Sequence, residues 1–208
     1  MWAKYWAFQG MLSLGNYDKK NKTFSKRSKG TTSPFVDLNR EALAHYLDTA
    51  WNKKIADANQ AVFEILGDDI EEMSVEMNPE TEQRKNILGQ TKTIDSGFTP
   101  TLSADPWYAN TDSGLYEHMK EIVFEQLKGD ERKTLMLEVV VEDTGAETHT
   151  AYLREVKVTP TSYGGGTEGF NIPFTVDFDG AYAKGTVTAE SVRAGAPVFT
   201  ADSGSLTD

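Results

Sequence analysis

Residues 148–190 constrain the fold more than any other stretch. Phe170, Ile172, Phe174, Val176 and Phe178 alternate with Asn171, Pro173, Thr175, Asp177 and Asp179. A period of two puts five apolar side chains on one face of an extended segment and leaves the other face polar. Asp179-Gly180 reads as a turn, and residues 182–189 return as a second strand of small and β-branched residues, so the two make an antiparallel hairpin. Upstream, residues 150–159 set Tyr152, Arg154, Val156 and Val158 against Ala151, Leu153, Glu155 and Lys157. The triplet Gly164, Gly165, Gly166 reads as the turn between them. Three strands with one wetted face result.

The rest of the 208-residue chain divides around this frame. Residues 1–56 read as an N-terminal arm with one amphipathic helix, 57–190 as a β domain and 191–208, rich in Gly, Ser, Thr and Ala, as a flexible C-terminal arm. The absence of cysteine excludes a disulfide scaffold and a cysteine-ligated zinc site. No apolar run reaches eighteen residues and the first residues lack a secretory pattern, so the expectation is a soluble protein that stays where it is made. Charge is uneven: residues 1–56 carry 10 Lys/Arg against 4 Asp/Glu, and residues 57–208 carry 11 against 28. An acidic body argues against stable nucleic-acid binding and leaves contact without adhesion open; it also keeps an abundant protein soluble.

Along the chain, residues 1–14 are aromatic and apolar, and 16–32 read as a basic solvated loop. Leu38, Ala42, Leu43, Tyr46, Leu47, Ala50 and Trp51 recur at three and four, predicting a helix over 37–51. Val62, Phe63, Ile65 and Leu66, then Met73, Val75 and Met77, predict strand, turn, strand. Residues 79–100 form a polar projecting hairpin or loop. A second helix begins at Asp112 or Ser113, lines Leu115, Met119, Ile122 and Leu127 on one side, and stops at Gly129. Leu135, Leu137, Val139 and Val141 then define a strand with a partly apolar outer face.

No catalytic pattern emerges. His45, His118 and His149 are far apart and lack a serine or carboxylate at a catalytic spacing. The glycine triplet lacks the Lys-Ser/Thr of a phosphate loop. Asp177-Phe178-Asp179-Gly180 resembles a fragment of a calcium loop without its twelfth-position glutamate, and a hairpin explains it better. Asp68, Asp69, Glu71 and Glu72 read as a solvated turn before they read as a glycosidase pair. The expectation is no enzyme, no cofactor and no metal. A polar-faced sheet, a projecting hairpin, covering helices and adhesive ends fit a self-assembling structural protein.

Several segments carry a family resemblance. Gly67-Asp68-Asp69-Ile70-Glu71-Glu72, Asn78-Pro79-Glu80-Thr81-Glu82, Asn86-Ile87-Leu88-Gly89, Gly97-Phe98-Thr99-Pro100, Ser162-Tyr163-Gly164-Gly165 and Lys184-Gly185-Thr186-Val187 stand in an order similar to that of major tail proteins of long-tailed, siphovirus-like bacteriophages. The likeness is nearest to tail tube proteins of phages of Gram-positive hosts and covers roughly residues 57–190. It implies a mainly β (α+β) fold, a β-sandwich or split barrel of the tail tube type with a flanking helix, a long projecting hairpin and an N-terminal extension. It further implies stacked homo-hexameric rings whose inner strands join into one barrel, with a tape-measure protein, a tail terminator and distal tail proteins as partners.

The implied inner strands are residues 71–79, 86–97, 150–159 and the hairpin 171–189. Four strands from each of six copies, at ~4.8 Å spacing and ~40° tilt, give a backbone diameter of ~48 Å and a bore of ~38 Å, wide enough for double-stranded DNA in transient, non-specific passage. Glu155, Lys157, Thr175, Asp177 and Asp179 are the candidate bore-facing residues. Asn78, Pro79, Glu80, Glu82, Arg84, Lys85, Asn86, Ile87, Leu88, Gly89 and Lys92 are the candidates for contact between subunits or rings. The expected location is the virion tail, assembled in the host bacterial cytoplasm and not in a membrane. Competing readings are a tube subunit of a tail-like bacteriocin or prophage particle without DNA, a hydrolase using the acidic cluster, and a monomeric carbohydrate-binding β-sandwich with Trp107 and Tyr108 as a stacking platform.

Overall fold

The alternation in residues 148–190 becomes two long strands that pair along their whole length. In this computed structural model residues 17–18, 23–24, 42–67, 70, 73–167 and 169–207 are described, with backbone alone for 17–18, 23–24 and 205–207. The aromatic residues of 1–14, the basic side chains of 16–32, and Asp68, Asp69, Glu71 and Glu72 lie outside the described residues. The chain forms two units, Met1–Asn39 and Arg40–Asp208. In the first, β1 (Tyr17–Asp18) and β2 (Thr23–Phe24) pair antiparallel.

The second unit is mainly β: a sheet curled as a half-barrel with one flanking helix. Its strands are β3 (Leu43–Asp48), β4 (Phe63–Leu66), β5 (Val75–Glu76), β6 (Pro79–Lys85), β7 (Thr91–Phe98), β8 (Thr101–Ala104), β9 (Lys133–Val140), β10 (Thr148–Pro160), β11 (Gly164–Gly166), β12 (Gly169–Asn171), β13 (Phe174–Thr188) and β14 (Phe199–Thr207). The helices are α1 (Gly114–Phe124) and the short α2 (Ala189–Arg193), with 3-10 turns at Ile55–Gln60 and Gly129–Arg132. The main sheet runs β4-β3-β9-β10-β13 with antiparallel neighbours. The far side of β13 is shared by β8, followed by β5, at one end and by β14 at the other.

Two cores lie on opposite faces of this one sheet. Met136, Val156, Val158, Phe174, Val176 and Leu102 belong to the first, which α1 covers through Leu115, Met119 and Ile122. Leu135, Leu137, Val139, Ala151, Leu153 and Val187 belong to the second, under the Ile55–Gln60 turn and Phe199. Successive residues of a strand face opposite ways, so Met136 between Leu135 and Leu137 places the two cores back to back. Each fully buried aliphatic side chain contributes ~1.5–3 kcal/mol. β9 is therefore buried on both faces from Thr134 to Val139, where one partly open face was expected.

Several expectations change for physical reasons. Residues 43–48 are a strand, not part of a helix over 37–51. Positions 45 to 48 are all buried, and a strand dry on both sides has no alternation, so its apolar residues imitate helical spacing. This strand, read from sequence as part of the N-terminal arm, lies between β4 and β9. Asp179-Gly180 is not a hairpin turn: β13 runs through it, with Arg154 opposite Tyr182 and Val156 opposite Phe178, so three residues bulge out against Glu155. Gly180 supports the bulge at φ 92°. The apolar alternation starting at Phe170 is broken at Ile172 and Pro173, between β12 and β13.

The glycine triplet is the strand β11 rather than a turn. A Cβ on Gly165 would lie 2.7 Å from the Gly169 carbonyl oxygen of β12. Of the strand expected around Met73, Val75 and Met77, only Val75–Glu76 forms. Helix α1 ends at Phe124, short of Gly129, with Gln126 at φ 56° after it. Residues 191–208, expected as a flexible arm, contribute the end of α2 and β14, and Phe199 packs over Gly185, where a Cβ would meet the ring at 2.7 Å.

Two buried polar residues lie on β3. Asp48 is fully buried; its carboxylate accepts from the Ala50, Asn52 and Val62 backbone N–H groups and from Asn52 Nδ2, all at 2.8–2.9 Å. It closes the excursion between β3 and β4. His45 is buried beside Glu138 at 3.7 Å, and Glu138 in turn accepts from Arg154 Nε. The Arg154 guanidinium lies over the rings of Phe178, Tyr182 and Tyr152 at 5.2, 5.3 and 5.9 Å. Burial lowers the His45 pKa from the ordinary 6.5, against an upward pull from Glu138.

Asp48→Ala strands three backbone donors and should lower unfolding free energy by about 3 kcal/mol in a urea titration; an effect below about 1 kcal/mol would remove its structural role. The unfolded chain protonates His45 more readily than the folded one, so its contribution to stability falls as pH drops below 6.5. His45→Phe should therefore make the urea midpoint fall less than wild type between roughly pH 7 and roughly pH 5, and an unchanged slope would refute the assignment.

Candidate functional site

The register of four strands gathers the sequence-chosen polar residues on one face. Lys157 stands opposite Asp177, Thr159 opposite Thr175, Asp177 opposite Thr101, Thr175 opposite Ser103, and Thr101 opposite Glu76. Directly opposed residues share a face, so these side chains form a strip across β10, β13, β8 and β5, on the side turned away from the first core and α1. Glu155 continues the strip, opposite Leu135 of β9, and its Oε1 accepts from the Ile55 N–H at 3.1 Å. That contact anchors the 3-10 turn. Among the described residues Asp177 receives only a long 3.5 Å contact from Thr159 Oγ1.

Asp179 joins from the bulge through Lys133, whose Nζ lies 2.6 Å from Asp179 and 3.2 Å from Asp130. Those hydrogen bonds, the one to Asp179 first, raise the Lys133 pKa above its ordinary value. Glu155, Lys157, Thr175, Asp177 and Asp179 are thus brought together. Glu76, Thr101, Ser103, Lys133 and Thr159 join them, and alternation within one strand gave no hint of the first four, because they arrive through pairing between distant segments. Four carboxylates face two ammonium groups across the strip, which leaves it mildly acidic.

The sheet's outer strands are, among the described residues, paired on one side only. Among the described residues β4 pairs only with β3, β5 only with β8 and β14 only with β13. Such edges present unpaired N–H and C=O groups in a row and template the addition of another strand.

The hairpin of β6 and β7 is a sheet of its own and, among the described residues, pairs only with itself. At its base Asn78, at φ 41°, donates from Nδ2 to the Thr99 carbonyl and to Thr101 Oγ1 at 3.2 and 3.1 Å, clamping the hairpin to β8. Pro79 faces Phe98, Glu80 faces Gly97, Glu82 faces Ile94, Arg84 faces Lys92 and Lys85 faces Thr91. At the tip, Asn86 Oδ1 accepts from the Leu88 and Gln90 N–H groups, and Gly89 N–H donates to the Asn86 carbonyl. Residues 79–100 were expected to project, and they do. Residues 86–97, however, sit in this hairpin rather than in the strip.

Other candidates are not assembled into a site. Trp107, read as half of an exposed stacking platform, is only 5% exposed and packs edge-on against Phe174. His118 stacks on Trp51, and His149 is buried at the start of β10. Among the described residues no group of three or more His, Cys, Asp or Glu side chains could hold a metal ion, and no helix is long and apolar enough to cross a membrane.

No family model matches the chain, and no curated protein matches it in sequence. Solved structures with a similar course of the chain include the sheath/tube terminator of an extracellular contractile injection system in its extended state, at 9% identity and TM-score 0.44, covering 73% of this chain and 99% of that one. The tail of an empty GTA particle follows at 15% identity and TM-score 0.42, covering 71% and 98%. The sheath-tube complex of the same injection system is similar at 10% identity and TM-score 0.40, covering 77% and 98%. These neighbours are tail, tube and terminator components; at such TM-scores the likeness has no bearing on the function of this chain.

Proposed function

We propose that this chain is the structural subunit of a hollow tail tube. Six copies form a ring, rings stack, and double-stranded DNA passes down an acidic bore during genome ejection from a siphovirus-like virion. One observation carries this reading: a polar strip crosses four strands of a sheet whose outermost strands, among the described residues, have no partner on their outer edges. A sheet of that kind can continue into an identical neighbour and close on itself, which abolishes every edge while the wet strip borders the hollow. The strip crosses β10, β13, β8 and β5, and of these β5 offers its outer edge to a neighbour. In this reading the tape-measure protein fills the tube before DNA, terminator and distal tail proteins close its ends, and the subunit has no catalytic role.

The tube serves equally as part of a tail-like bacteriocin or prophage particle without DNA. Lys133 and Lys157 among the strip's carboxylates favour keeping that second reading, since a mixed wall repels phosphate less than a purely acidic one.

Concentrated protein should show hollow tubes by negative-stain microscopy; a species that stays at 23.1 kDa by light scattering under every condition refutes assembly. Asp177→Lys should slow genome ejection with tubes intact, whereas loss of tubes would move Asp177 to an interface. Removing residues 80–97 should abolish polymerisation and leave a folded monomer, and normal tubes from that deletion would remove the hairpin's role.

A further inference from the structure

An isolated two-stranded hairpin is marginally stable in water, yet here it displays its most apolar residues at its far end. Ile87 is fully exposed and Leu88 78% exposed. The Asn86 side chain holds the turn that presents them, so little conformational freedom remains to be lost on docking. Just behind the tip, Arg84 faces Lys92 across the hairpin, with Lys85 beside them. Like charges directly opposed are unfavourable. Arg84 has Glu82 at 3.0 Å, while Lys85 and Lys92 have no ion-pair partner among the described residues. An apolar tip in a basic collar calls for an apolar recess with acidic groups at its mouth.

Among the described residues three grooves are candidates. The one beside the C-terminal end of α1 is lined by Lys128 and Arg132, which repel the collar. The one at the N-terminal end of α1 has Glu64 and Asp112 on its lining but is mostly polar, and its Glu64 is already held by Ser113 and Gly114. The third, of about 450 Å³, lies between the Ile55–Gln60 turn and β14. Ile55, Ala58, Phe199 and Ala201 give it an apolar floor continuous with the second core, Asp202 is its one charged lining residue among the described residues, and Asp57 lies on the same turn. Lys53 and Lys54 precede the turn and do not line it.

We infer that the hairpin tip, Ile87 and Leu88, seats in the groove between the Ile55–Gln60 turn and β14 of a second copy, with Lys85 and Lys92 facing Asp57 and Asp202. This rests on the tube reading only for the premise that copies associate; the choice of groove comes from shape and charge. The contact is heterologous, tip to groove, so it propagates from copy to copy instead of closing a dimer.

The absence of cysteine makes the test direct. Leu88→Cys protein is mixed with size-tagged Asn59→Cys protein, or with size-tagged Ser162→Cys protein, whose cysteine lines the basic groove. All three positions are exposed, so folding is not at risk. Under mild oxidation the Leu88–Asn59 pair should crosslink several-fold more than the Leu88–Ser162 pair. Adding Asp202→Lys to the Asn59→Cys partner should reduce the product, and adding Lys92→Glu to the Leu88→Cys partner should restore it. Equal crosslinking of both pairs, or charge reversal without effect, overturns the inference. So does binding of the wild type, but not of Ile87→Asp, to phosphatidylserine vesicles with no Leu88–Asn59 product, because the tip would then be a lipid anchor. Tubes without the crosslink overturn this contact and leave the tube reading standing; the crosslink without tubes does the reverse.

Discussion

The structure depends on one antiparallel pair. β10 and β13 pair from Thr148 opposite Thr188 to Pro160 opposite Phe174, interrupted once by the bulge opposite Glu155, and they carry apolar residues of both cores on opposite faces. A sheet built this way has no uniformly dry side. Each face is dry at one end and wet at the other, because the helix α1 covers one diagonal half and the Ile55–Gln60 turn with β14 covers the other. The polar strip of Glu155, Lys157, Thr175 and Asp177 is the uncovered half opposite α1, and the Arg154 cluster with Tyr152 and Tyr182 lies on the uncovered half opposite the second core. Both are consequences of the same diagonal arrangement.

Much of this was legible in the residues, and the failures have a common cause. Helix α1, its Ser113 cap, the strands around Leu137 and Val156, and the projecting segment after Asn78 follow from periodicities and turn chemistry that act within a few residues. Leu43 to Asp48 did not, since a strand buried on both sides shows no alternation. Asp179-Gly180 did not, since a bulge and a turn favour the same residues and only the partner strand distinguishes them. The strip was half legible: Asp177 and Thr175 announced a wet face, but Thr101, Ser103 and Glu76 reach it through pairings that no local pattern encodes.

The C-terminal strand shows how a single small residue fixes a long-range pairing. Gly185 is buried in β13, and the Thr200 carbonyl and the Phe199 ring occupy the space where any side chain would stand. Sequence composition made residues 199–207 look mobile because Gly, Ser, Thr and Ala promise little burial. What holds them is the vacancy left on the neighbouring strand, which composition does not report.

The bulge opposite Glu155 divides the free side of β13 between two different strands, β8 at one end and β14 at the other. The margin at β5 and the closure of the second core by β14 therefore rest on different halves of β13. A substitution at the β8–β5 margin thus leaves standing the pairing of β14 that closes the second core.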